Sequence, residues 1–126
     1  MKLAHLVFCT LLASAAAMAH ALDIKPYSPA ALAEAQKADK PVALHFRADW
    51  CPTCRAQDKV LESLRSEPGL DLTVLAVNYD TEKELKKQFN IRTQSTLVLL
   101  HGQKESGRSI GDTTQAGLRA ALKSAL

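Results

Sequence analysis

The chain predicts an α/β domain with a central mixed β-sheet flanked by helices on both faces. Three observations lead there. Apolar runs of strand length alternate with stretches of helical periodicity. The first two strong runs are separated by a helix, as in a parallel βαβ crossover. The third is followed after Gly102 by a short run, as in an antiparallel hairpin.

Ser28-Pro29 reads as a helix start, an N-cap with proline at the first helical position, and the helix continues to about Ala38. Pro41 opens a strand over Val42–Phe46, apolar enough to be covered on both faces. A second helix begins at Cys51 and runs through Val60, Leu61 and Leu64 until Pro68-Gly69 stops it. Leu72–Val77 is the second strong strand. Asp80-Thr81 caps a short helix reaching Phe89, with Thr81 and Glu84 in capping-box spacing. Thr96–Leu100 is a third strand, Arg108-Ser109-Ile110 a short edge strand, and a last helix begins at Thr113 or Thr114 with Leu118 and Leu122 on one face.

The N-terminus reads as an address. Met1-Lys2 supplies a positive start, Leu3 to Met18 is almost free of polar residues, and Ala19-His20-Ala21 has the small-x-small pattern of a cleavage site. Residues 1–21 are therefore expected to be a secretory signal and 22–126 a single domain, exported and without stable membrane insertion after cleavage. The apolar run is short for a bilayer span, which needs roughly 20 apolar residues. The net charge of +3 on 126 residues gives no ground for a nucleic-acid or membrane-surface partner.

The chemistry concentrates in Cys51-Pro52-Thr53-Cys54 at a strand-to-helix junction. A thiol at a helix N-terminus ionises more readily, because the backbone N–H groups and the helix dipole favour negative charge, and only the thiolate attacks a disulfide. Cys54 lies one turn on, within reach of the Cys51 sulfur. Cys51, ahead of the helix, is expected to be the more exposed and more acidic of the two. A disulfide between them would close almost no loop and would be a poor structural staple. Zinc normally takes four ligands, and no second cysteine pair is present.

Around these residues the sequence resembles the thioredoxin family. The resemblance rests on Lys40 to Cys54 with its Ala48-Asp49-Trp50-Cys51-Pro52-Thr53-Cys54 core, Val77-Asn78-Tyr79-Asp80, Phe89 to Thr96, and Gly111. It is most like the exported thioredoxin-like domains of bacterial periplasmic disulfide relays. The resemblance implies a thioredoxin fold, Cys51 as the attacking and Cys54 as the resolving cysteine, and Trp50 shielding the pair. It implies exchange with protein thiols and disulfides, with a membrane electron donor as a candidate partner, and no cofactor. A monomer is expected.

The chain departs from the family pattern in three places. His45 stands where the family has a buried acid, and is either a proton acceptor for the buried cysteine or a hydrogen-bonded core histidine. Ala76 stands where a lysine would partner that acid. Ser95 replaces the cis-proline that faces the cysteines, so the Gln94–Ser95 bond is expected to be trans. Loss of that proline opens an alternative, a copper-handling module in which Cys51 and Cys54 hold Cu(I), since paired thiolates suit a soft ion. On this reading Ser95→Pro should speed reduction of a general disulfide substrate and weaken copper binding. A third reading is a redox-inert interaction domain that keeps the motif.

Overall fold

The computed structural model describes residues 21–126; the expected signal segment, up to its last residue, lies outside the described residues. The elements in order are β1 (Asp23–Pro26), α1 (Pro29–Lys37), β2 (Pro41–Arg47), α2 (Pro52–Leu64), β3 (Thr73–Asn78), α3 (Lys83–Gln88), β4 (Thr96–His101), β5 (Lys104–Ile110) and α4 (Gln115–Lys123). They form one five-stranded sheet in the order β1-β3-β2-β4-β5. β3 runs parallel to both β1 and β2, whereas β4 is antiparallel to β2 and to β5.

Side chains alternate across β2, and the two faces bury different partners. Val42, Leu44 and Phe46 pack with Leu32 of α1 and Leu85 of α3. Ala43 packs on the other face with Leu61 and Leu64 of α2 and Leu118 and Leu122 of α4. The same alternation places His45 on the α2 side, opposite Ala76 of β3. The sheet is thus mixed and covered on both faces, as the sequence predicts.

Ser28 caps α1 as expected, its hydroxyl accepting the Ala31 N–H at 3.0 Å. Three details differ from the sequence reading. β1 was not anticipated: it is short, reads Asp-Ile-Lys-Pro, and lies at an edge where one exposed side suits proline. β5 begins at Lys104, well before Arg108, because a solvent-facing edge strand carries no apolar run to reveal it. The Thr81–Glu84 capping box does not form. α3 starts at Lys83 without a side-chain cap, and Asn78 Oδ1 instead accepts the Asp80 and Thr81 N–H groups at 3.0 and 3.3 Å.

Candidate functional site

β2 and α2 join through Ala48-Asp49-Trp50, and this junction places the cysteines. Cys51 is the N-cap of α2 in an extended conformation, and Pro52 occupies the first turn, where its missing N–H costs nothing. Arg47 braces the junction by donating to Asp49 Oδ1 at 2.8 Å and to both Asp58 oxygens at 3.1 Å. Cys51 and Cys54 are joined in a disulfide with their Cα atoms 5.2 Å apart. Cys51 Sγ also accepts the Cys54 backbone N–H at 3.1 Å, so one orphan donor of the helix start points at the Cys51 sulfur.

Both cysteines are buried, 2% exposed for Cys51 and 0% for Cys54. The expected difference in exposure is therefore negligible in the oxidised pair. Backbone placement is what separates the two sulfurs. Pro52 and Thr53 lie exposed between them. Trp50 is 57% exposed and is tethered by its Nε1–H, which donates to Asp80 Oδ2 at 2.8 Å.

Ser95 comes from the loop before β4 and closes the site. Its Oγ lies 3.2 Å from Cys51 Sγ and 3.1 Å from Cys54 Sγ. No peptide bond among the described residues is cis, and Ser95 has φ +64°. A non-glycine residue in the left-handed region costs roughly 1–2 kcal/mol and persists where its surroundings over-determine it. Three bonds do so here. Ser95 N–H donates to Phe46 O at 2.9 Å, and Ser95 O accepts from Gly111 N–H at 2.9 Å and from Gln57 Nε2 at 3.1 Å. Proline fits neither the φ nor the donor role. Ser95→Pro therefore cannot keep this loop as it stands, and would need the backbone around residue 95 to change before it could alter catalysis.

Gln57 is the residue that sequence reasoning missed. It is fully buried on α2, one turn beyond Cys54 and on the same face as Leu61 and Leu64. A polar residue within that apolar stripe was the available signal. Its amide nitrogen donates to Ser95 O and to Asp112 O, at 3.1 and 3.0 Å. Both are carbonyls and can only accept, which fixes the amide orientation. Gln57 Oε1 must then accept from His45 Nε2 at 2.8 Å, so the imidazole carries its proton on Nε2.

His45 is thereby a hydrogen-bonded core histidine. Its Nε2–H is committed to Gln57, and its Nδ1 faces Asp58 Oδ1 at 3.7 Å. Burial holds its pKa below the ordinary value and outweighs the Gln57 hydrogen bond and the Asp58 charge, which act upward. The geometry thus supplies no free imidazole nitrogen toward the cysteines. The structure brings Cys51, Cys54 and Ser95 together, with His45 one link behind them through Gln57.

A buried sulfur pair at a helix start, just beyond the end of the sheet's central strand β2, is placed for dithiol–disulfide exchange. Comparison with known proteins agrees. The sequence profile of the thioredoxin family matches residues 27–124. Thioredoxin from Alicyclobacillus acidocaldarius subsp. acidocaldarius is 34% identical over 93 residues, 74% of this chain and 89% of that protein. The bifunctional thioredoxin reductase/thioredoxin of Mycobacterium leprae is 33% identical over 86 residues, 68% of this chain but only 19% of that longer protein. Among solved structures, Trxlp from Edwardsiella tarda EIB202 superposes with a TM-score of 0.75 at 42% identity, covering 79% of this chain and 98% of that one. The chain belongs to the thioredoxin family. It is a thiol–disulfide oxidoreductase whose redox pair is Cys51–Cys54, acting on protein disulfides.

Proposed function

We propose that this oxidoreductase works outside the cytoplasm, in a bacterial periplasm, as a monomer that relays electron pairs between a membrane donor and partner-protein disulfides. The Cys51 thiolate attacks a partner disulfide, forming a mixed disulfide and releasing the first partner sulfur as a thiolate. Cys54 then attacks Cys51 Sγ, the bond to the partner breaks, and the partner leaves with the electron pair and a proton. Two electrons pass from the cysteine pair to the partner, and the reverse order oxidises a partner.

The observation that carries the exchange step is the Cys54 N–H aimed at Cys51 Sγ, which marks Cys51 as the sulfur favoured as a thiolate. Export is supported by the composition of residues 1–21, a positive start, an apolar run and a small-x-small end. No helix among the described residues is long and apolar enough to cross a membrane. Two experiments test the proposal. Intact mass of the secreted protein should begin at Leu22, and a mass retaining Met1 would contradict export by a cleaved signal. Cys54→Ser should trap periplasmic partners as mixed disulfides and Cys51→Ser far fewer, whereas greater trapping by Cys51→Ser would reverse the assigned roles.

The copper reading draws on the same pair, since two thiolates suit a soft ion. The Ser95 hydroxyl beside both sulfurs is a hard donor and adds little for Cu(I), which favours exchange chemistry over metal handling.

A further inference from the structure

The loop facing the cysteines ends in a hydroxyl, and that hydroxyl touches both reacting sulfurs. We propose that Ser95 is a catalytic residue that holds the reduced pair in one protonation state: its O–H donates to the Cys51 thiolate while its Oγ accepts from the Cys54 S–H. This deepens the exchange chemistry and does not depend on where the protein works or which partner it meets.

Geometry and hydrogen-bonding capacity lead to it. A hydroxyl has one proton to give and two lone pairs to receive with. Ser95 Oγ is nearly equidistant from the two sulfurs, at 3.2 and 3.1 Å. In the oxidised pair neither sulfur is a strong acceptor and neither is a donor. Reduction changes both at once. One sulfur becomes an anion and the other a thiol, and a single hydroxyl between them can serve each in the opposite sense.

The Cys54 N–H already points at Cys51 Sγ, so the anion belongs on Cys51. The thiol then belongs on Cys54, which is fully buried where a charge would be costly. Hydrogen bonds to a charged acceptor are the strong ones, and this contact gains that strength only when the nucleophile is ionised.

The backbone gives an independent reason. Ser95 is held at φ +64°, a conformation serine seldom takes, by bonds to Phe46 of β2, Gln57 of α2 and Gly111 of the loop after β5. The strained conformation is what sets the side chain over the sulfurs. Gln57 is in this respect a positioning residue, since it grips the Ser95 carbonyl from the helix that carries Cys54.

The test compares reduced wild type with Ser95→Ala and Ser95→Gly. Glycine removes the hydroxyl while relieving the positive φ, so a folding defect in the alanine variant would not obscure the result. Thiolate absorbance followed against pH should show the Cys51 pKa raised by about one unit in both variants. Alkylation of Cys51 by iodoacetamide, measured on the acidic side of that pKa, should slow by about tenfold. On the alkaline side the rate should match wild type, which separates loss of a proton-holding group from a change in access. A pKa displaced by less than about 0.3 unit in both variants would overturn the proposal. So would slowing of equal size at every pH. Redox equilibration of the same samples with glutathione reports separately on whether the pair exchanges at all, so failure of the exchange function cannot be mistaken for failure of the Ser95 assignment.

Discussion

Replacing Gln57 by leucine probes the one buried polar link between the core and the redox loop. Leucine keeps most of the volume and deletes three hydrogen bonds, to His45, Ser95 and Asp112. The costs are unequal. Ser95 O keeps its bond from Gly111 N–H, and Asp112 O is only partly buried, so water can reach it. His45 Nε2–H is left with no acceptor inside the core, which costs about 1–3 kcal/mol. With the lost loop contacts the total is about 3 kcal/mol, and a domain of this size would lose about 14 °C in melting temperature. Urea unfolding monitored by circular dichroism measures it.

The control is the double variant His45→Leu/Gln57→Leu. Removing both partners leaves no orphaned donor, so the double variant should be more stable than the sum of the single losses by at least about 1 kcal/mol. The Cys51 thiolate titration should shift in the same direction as in Ser95→Ala, by less, because the loop loosens while its hydroxyl remains. Simple additivity, or a Gln57→Leu cost below about 0.5 kcal/mol, would refute the assigned tautomer and the role of the amide as a clamp.

Two other predictions concern neighbouring groups. Burial lowers the His45 pKa, so below about pH 6.5 the unfolded chain takes up a proton that the folded chain refuses, and stability falls as pH drops. His45→Leu should flatten this fall when unfolding midpoints are compared from neutral to mildly acidic pH, and an unchanged slope would contradict the buried neutral imidazole. Ser95→Pro forfeits the N–H bond to Phe46 and cannot hold φ +64°, so its urea midpoint should drop by the equivalent of about 2–3 kcal/mol. A variant as stable as wild type would show that the loop can rebuild around proline.

Much of this was legible in the sequence, for physical reasons particular to each element. β2 and β4 are buried on both faces, and continuous apolar runs announce such strands. Ser28-Pro29 and Cys51-Pro52 mark helix starts through local backbone chemistry, which needs no tertiary context. β1 and the start of β5 carried no such pattern, because an edge strand draws its stability from ladder bonds more than from burial. The pairing of His45 with Ala76 follows from strand register and was visible by resemblance. Gln57 could be seen as a polar residue within the apolar stripe of α2, but its partners lie 12, 38 and 55 residues away and no local pattern names them. Ser95 was noticed as a missing proline, but its contact with both sulfurs depends on a left-handed backbone that only the assembled loop imposes.

The central claim is that Cys51 and Cys54 form one reversible redox pair. Its most direct test is equilibration of the protein against graded ratios of reduced to oxidised dithiothreitol and glutathione, followed by acid quenching, alkylation and mass spectrometry. A single reversible transition is predicted, with both cysteines gaining label together as two electrons enter, and with no disulfide left in excess dithiothreitol. Cysteines that become labelled at different ratios, or a pair that stays oxidised in excess dithiothreitol while the protein remains folded, would contradict it.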